Sequence, residues 1–155
     1  MSVLISFSPT SPVVSGSLIA VVDALEVRRG AIRATFTADG GINRRDVAQE
    51  IDPLLRAQGF RAGSDATLSP RELDYMSDSL LAALSIQAGR AATNNGGLLA
   101  TLAAASCEEV DWLVLLVPER YKNSATGDAV EKQLRDLAVA HGVRLDLQAV
   151  VLVRY

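Results

Sequence analysis

The sequence predicts an α/β domain, with α+β as the other option. Its centre is a mixed sheet flanked by helices, and it closes on a C-terminal parallel βαβ unit. Trp112 to Val117 is a continuous apolar run, the signature of a strand buried on both faces, and Leu145 to Val153 is a second. Between them, Asp128 to Ala140 places Val130, Leu134, Leu137 and Ala138 on one side of a helix. A strand–helix–strand crossover of this kind is parallel and almost always right-handed. A chain of 155 residues suits a single domain with one core. It shows no internal repeat, low-complexity segment or linker.

Val3 to Phe7 alternates apolar and polar residues and reads as a short strand, which Pro9 and Pro12 then break. Ser17 to Arg29 carries Leu18, Val21, Val22 and Leu25 at helical spacing, and Gly30 is a suitable terminator. Ala31 to Thr37 puts Ile32, Ala34 and Phe36 on alternate positions and predicts a strand, followed by a turn at Gly40-Gly41. Asn43 suits the N-cap of a helix from Arg44 to Gln58, whose stripe is Val47, Ile51, Leu54 and Leu55. Pro53 should kink this helix, and Gly59 should end it with Phe60 packing back. Arg61 to Leu68 reads as a polar loop. Ser69-Pro70-Arg71-Glu72 is a capping box with proline at the first helical position, so a helix is expected to start there. Its end is open. Leu73, Met76, Leu80 and Leu84 extend one helical stripe, whereas the topology of the following elements favours a strand over Leu80 to Gln87. After a loop at Thr93 to Gly97, Leu98 to Cys107 predicts a small-residue helix, and Glu119 to Gly127 a loop.

The totals narrow the function classes. A formal net charge of −3 gives no global attraction to nucleic acid, so such binding needs a local basic patch. The single cysteine, Cys107, excludes an internal disulfide, and with one histidine, His141, no Cys/His zinc cluster forms. There is no apolar run of membrane-spanning length and no basic N-terminal region of a signal peptide. A cytoplasmic, non-membrane protein is therefore expected. P-loop, dinucleotide-binding and nucleophile-elbow motifs are absent. His141 suits a helix C-terminus and Cys107 suits packing better than nucleophilic work.

Two clusters carry candidate chemistry. On a helix, Asp74 and Asp78 share a face and offer a carboxylate pair for Mg²⁺; the plainer reading is a solvated helix face. Glu119, Arg120, Tyr121, Lys122 and Asn123 follow a buried strand, where ligands of open α/β sheets bind, although an ordinary polar loop has the same composition. Asn94-Asn95-Gly96-Gly97 is either a weak phosphate cradle or a turn.

From Leu84 to Tyr155 the chain resembles the C-terminal half of PD-(D/E)xK restriction-endonuclease-like domains. The residues that carry the likeness are Ser85-Ile86-Gln87-Ala88-Gly89-Arg90, the alanine-rich helix from Leu98, and the apolar strand ending at Pro118. The Arg44–Phe60 stretch resembles the helix preceding the catalytic core. The resemblance implies a nuclease-like domain of prokaryotic defence acting on DNA with Mg²⁺. It assigns catalytic roles to Asp74 or Asp78, Gln87 and Arg90, and metal binding to Asp74 or Asp78. Asn94, Asn95, Arg120 and Lys122 are the expected nucleic-acid contacts. The chain departs from the family at Ser85, which stands where a metal-binding glutamate is expected. The rival expectation is a non-catalytic α/β subunit of a homo- or hetero-oligomer.

Overall fold

The computed structural model describes residues 2–63 and 71–155. In chain order its elements are β1 (Ser2–Ser6), α1 (Gly16–Val27), α2 (Arg29–Ala34), α3 (Arg44–Ala57), β2 (Arg61–Ala62), β3 (Tyr75–Ser77), β4 (Ala82–Ile86), α4 (Gly96–Ala105), β5 (Trp112–Val117), α5 (Thr126–Ala138) and β6 (Ala149–Arg154). The strands form one mixed six-stranded sheet in the order β1-β6-β5-β4-β3-β2. The expected α/β class is the observed one.

Period-two alternation in the strands builds two apolar layers. On one face Leu84, Ile86, Val114, Leu116, Val151 and Val153 meet α1, α2 and α3. On the other face Ala83, Leu113, Leu115, Val150 and Leu152 meet α4 and α5. The small residues Gly97, Ala100 and Ala104 let α4 lie close; a Cβ at Gly97 would stand 2.8 Å from Val130 Cγ1. β4, β5 and β6 run parallel, with Trp112 opposite Ala82 on one side and Ala149 on the other. The crossovers through α4 and α5 lie on the same face. The expected βαβ unit is therefore present, and the open question over Leu80 to Gln87 resolves as strand β4.

Several expectations need correction. Ala31 to Thr37 is not a strand, because Arg29–Ala34 is helical. Helical spacing lets Arg29 and Arg33 converge on one carboxylate, Glu119, which an extended chain would not allow. Gly30, the expected terminator, lies inside this helix. The helix expected from the capping box does not follow: Ser69 and Pro70 lie outside the described residues, Arg71 and Glu72 form a turn, and Tyr75–Ser77 is β3. Pairing with β4 buries Tyr75 and Met76 on opposite faces, and this tertiary gain overrides local helix preference. Within the expected loop Arg61 to Leu68, Arg61–Ala62 is instead strand β2, while 64–68 lie outside the described residues. The last strand starts later than expected, at Ala149, where its register with Trp112 begins.

The other boundaries hold to within a few residues. Asn43 caps α3 by accepting from Arg45 N at 3.0 Å, and Gly59 leaves the helix at φ +83°. Among the described residues, no helix is long and apolar enough to cross a membrane.

Candidate functional site

The carboxyl ends of β4 and β5 collect nearly all of the candidate residues, but the geometry separates them into two neighbouring groups.

The first group surrounds Asp74. β3 departs from β4 here, leaving the Ile86 N–H on the β3 side without a strand carbonyl. Asp74 Oδ2 fills that place, accepting from Ile86 N at 2.6 Å, while Asp74 N donates to Leu84 O at 2.9 Å. Arg44, from the first turn of α3, grips the same carboxylate in a forked pair, with Nε on Oδ1 at 2.9 Å and Nη2 on Oδ2 at 2.7 Å. Ser85 is fully buried, and its Oγ donates to Glu72 O at 2.7 Å. Gln87 Nε2 donates to Ser85 Oγ at 2.8 Å. The Gln87 Oε1 lies against Gly96, where a Cβ would approach within 2.2 Å.

Asp74, Ser85 and Gln87 are thus gathered where β3 and β4 meet. Their hydrogen-bonding capacity is largely spent within the protein. The Arg44 guanidinium supplies the positive charge that a metal would otherwise bring to Asp74. Among the described residues, no group of three His, Cys, Asp or Glu side chains is placed to hold a metal ion. The residues present do not fit Mg²⁺.

Asp78 does not share this corner. Asp74 and Asp78 flank the two ends of β3 and do not share a helix face, since that stretch is a strand. Asp78 pairs with Arg61 at 2.8 Å, beside β2.

The second group is a cavity of about 440 Å³ between the loop after β4 and the loop after β5. Its walls include Gly89, Arg90, Thr93, Tyr121, Lys122 and Ser124, with Thr126 at the start of α5. Gly89 is required by packing, because a Cβ there would lie 2.0 Å from Tyr121 Cδ2. Lys122 takes the left-handed backbone region at φ +53°, and its Nζ stands 5.6 Å from the centre of the Tyr121 ring. The amides opening α5 are already used: Thr126 N donates to Ser124 O and Gly127 N to Glu119 O. Charge at this cavity therefore comes from side chains.

Those side chains are free of salt bridges. Arg28, Arg29, Arg33, Arg44, Arg61 and Arg154 each hold a carboxylate. Among the described residues Arg90, Arg120 and Lys122 make no salt bridge, and Arg45, Arg71 and Arg144 are the others without one. Asp39 lies within electrostatic reach of Lys122; its carboxyl is held low first by the Thr37 hydroxyl and least by the lysine charge. Arg90 and Lys122 share the cavity. Arg120 lies on the same loop without lining it, and Asn94 and Asn95 are exposed outside it. Asn95 takes φ +54° as it enters α4.

Arg44 and Tyr155 are participants that sequence reading passes over. Arg44 lies thirty positions from Asp74, and nothing in local spacing links them. Tyr155 is buried and donates its hydroxyl to Gln87 O at 2.6 Å, fixing the residue from which the first loop departs. Its alternation with Val151 and Val153 is the one signal that it faces inward. Cys107 is half-buried, and burial, assisted by Glu109, pushes its thiol pKa up, away from nucleophilic chemistry. His141 is exposed after α5.

No family model matches this chain, and no curated protein or solved structure matches it.

Proposed function

We propose that the chain is a restriction-endonuclease-like module that binds nucleic-acid phosphates through the loops after β4 and β5 and has no metal-dependent cleavage of its own. The observation that carries this reading is the cavity bordered by Arg90 and Lys122, two unpaired cations beside an aromatic ring at the carboxyl ends of parallel strands. Ligands of open α/β sheets bind at this end. Phosphates reward cations that have no internal partner to leave, whereas the paired arginines would first have to break a salt bridge.

The meeting of Asp74, Ser85 and Gln87 at the adjoining ends of β3 and β4 supports the resemblance to PD-(D/E)xK domains. Their engagement with Arg44, Ile86 N and Glu72 O supports binding over cutting. The function is then recognition without hydrolysis: side-chain cations hold phosphate oxygens while the Asp74 corner keeps the sheet end in shape.

The test is fluorescence anisotropy with labelled duplex DNA, single-stranded DNA and RNA across a salt series, on the parent and Lys122→Ala. Binding is expected at low salt, and the variant is expected to lower the magnitude of the log K against log salt slope by about 0.9 on duplex DNA. Plasmid nicking with Mg²⁺ and then Mn²⁺ is expected to be absent. No binding by the parent, or an unchanged slope in the variant, overturns the site. Robust nicking that Asp74→Ala abolishes overturns the non-catalytic assignment.

A second reading, a non-catalytic subunit of an oligomer, is favoured by one observation: the sheet ends on β1, a strand with no charged residue and an exposed Leu4.

A further inference from the structure

We propose that two copies of this chain associate through β1, antiparallel and edge to edge about a twofold axis at Leu4, so that one sheet runs through both. The inference deepens the oligomeric reading and is independent of nucleic-acid binding.

It starts from the phase of the backbone hydrogen bonds. Tyr155 N donates to Val117 O and Tyr155 O accepts from Glu119 N, so the main-chain groups of Tyr155 face β5. Alternation along β6 then turns the groups of Val150, Leu152 and Arg154 towards β1. Val150 opposes Ile5 and Leu152 opposes Val3, so Val3 and Ile5 direct their N–H and C=O inward to β6. Phe7 N, which donates to Gln148 O, continues the same phase. Ser2, Leu4 and Ser6 are left with N–H and C=O directed outward from the sheet edge.

The outward set is symmetric. The strand reads Ser-Val-Leu-Ile-Ser. A second copy turned about Leu4 places Leu4 on its own counterpart and Ser2 on Ser6, and each of these pairs exchanges N–H···O=C bonds in both directions. On one face the two Leu4 side chains meet. On the other, Val3 meets Ile5. Every cross-strand pair is apolar or serine, and no like charges oppose.

Natural edges are protected by charge, proline, a bulge or shortness. The far edge of this sheet has such protection, since β2 is two residues long and Arg61 is tied to Asp78. β1 has no charged residue, proline or bulge of its own between Ser2 and Ser6, and the Glu26 carboxylate reaches only its first residue, Ser2. Beside it a groove of about 250 Å³ is lined by Leu4, Val14, Ile19 and Val22, with Asp23 its one charged wall. Leu4 and Ile19 are 41% and 46% exposed. With one edge open and the other blocked, the contact is isologous and closes at two copies.

Sedimentation velocity on the full chain over a concentration series tests this, with Leu4→Lys and Leu4→Pro as variants. The Leu4 side chain is exposed and its N–H points away from β6, so neither change removes a bond within the sheet; circular dichroism checks that both variants fold. The parent is expected to show a monomer–dimer equilibrium. Each variant is expected to raise the dimer dissociation constant by at least about tenfold. Added salt is expected to leave dimerisation intact or strengthen it by screening Asp23, the opposite of its effect on phosphate binding. A parent that sediments as a monomer throughout, or a dimer that survives in both folded variants, overturns the proposal.

Discussion

The two groups at the carboxyl end of the sheet contain similar residue types in opposite states. Around Asp74, the site groups are met from within: Arg44 and the Ile86 N–H hold the carboxylate, and Ser85 is fixed by Glu72 O and Gln87. Around the cavity, Arg90 and Lys122 make no salt bridge, and Lys122 has only the Tyr121 ring and a distant Asp39 for company. The first arrangement maintains the fold; the second is available to a ligand. Residue identity does not separate these roles. What separates them is whether a neighbouring backbone or side chain has already met each group's demand for charge and hydrogen bonds.

Substitutions should therefore have opposite signatures in the two regions. The largest effect is expected from Ser85→Glu. It would bury a carboxylate against Glu72 O, a carbonyl that needs a donor, and the cost is expected to reach about 3 kcal/mol or more. Chemical denaturation measures this, and a Mg²⁺-dependent recovery of stability would show that a metal can enter the corner after all. Asp74→Ala comes next. It leaves the Ile86 N–H and the Arg44 guanidinium without their acceptor, for a loss of about 1–3 kcal/mol, while Asp74→Asn is expected to keep part of it by still accepting one bond. The same denaturation curves read both.

On the cavity side, Lys122→Ala and Arg90→Ala are expected to change stability by no more than about 0.5 kcal/mol while weakening phosphate binding. A large stability loss in either would place them with the Asp74 group. A further signature is a pH dependence at Tyr75. Burial, and then the charge of Asp52, push its phenol from the ordinary value near 10 up to about 12. The raised folded-state pKa means that this contribution is complete below pH 10 and is lost as pH rises from about 10 through 12. Tyr75→Phe is expected to remove that share of the fall in stability, read by denaturation at several alkaline pH values.

The legible parts of the sequence were those in which burial and local pattern agree. Trp112 to Val117 is apolar throughout because both faces are covered, and its bounds coincide with β5. Asn43 signals its cap because the interaction spans two residues. The misread parts depend on distant partners. Ile32, Ala34 and Phe36 alternate like a strand, yet Glu119, far along the chain, gathers Arg29 and Arg33 from a helix. Tyr75–Ser77 looks helical until β4 lies beside it. The candidate site followed the same division. Lys122 could be nominated from its place after a buried strand and Arg90 from the family resemblance, but the partnership of Asp74 with Arg44 exists only once α3 and β3 are packed.

The contact between Gly89 and the Tyr121 ring has a consequence for motion. It presses the loop after β4 onto the loop after β5 with no room for a methyl group, and Tyr155 bonds to Gln87 O from the first loop and to Glu119 N from the second. Neither loop can lift far without disturbing the other. Amide hydrogen exchange across 87–95 and 118–125 should then report one shared opening event, and an anion that orders either loop should slow exchange in both.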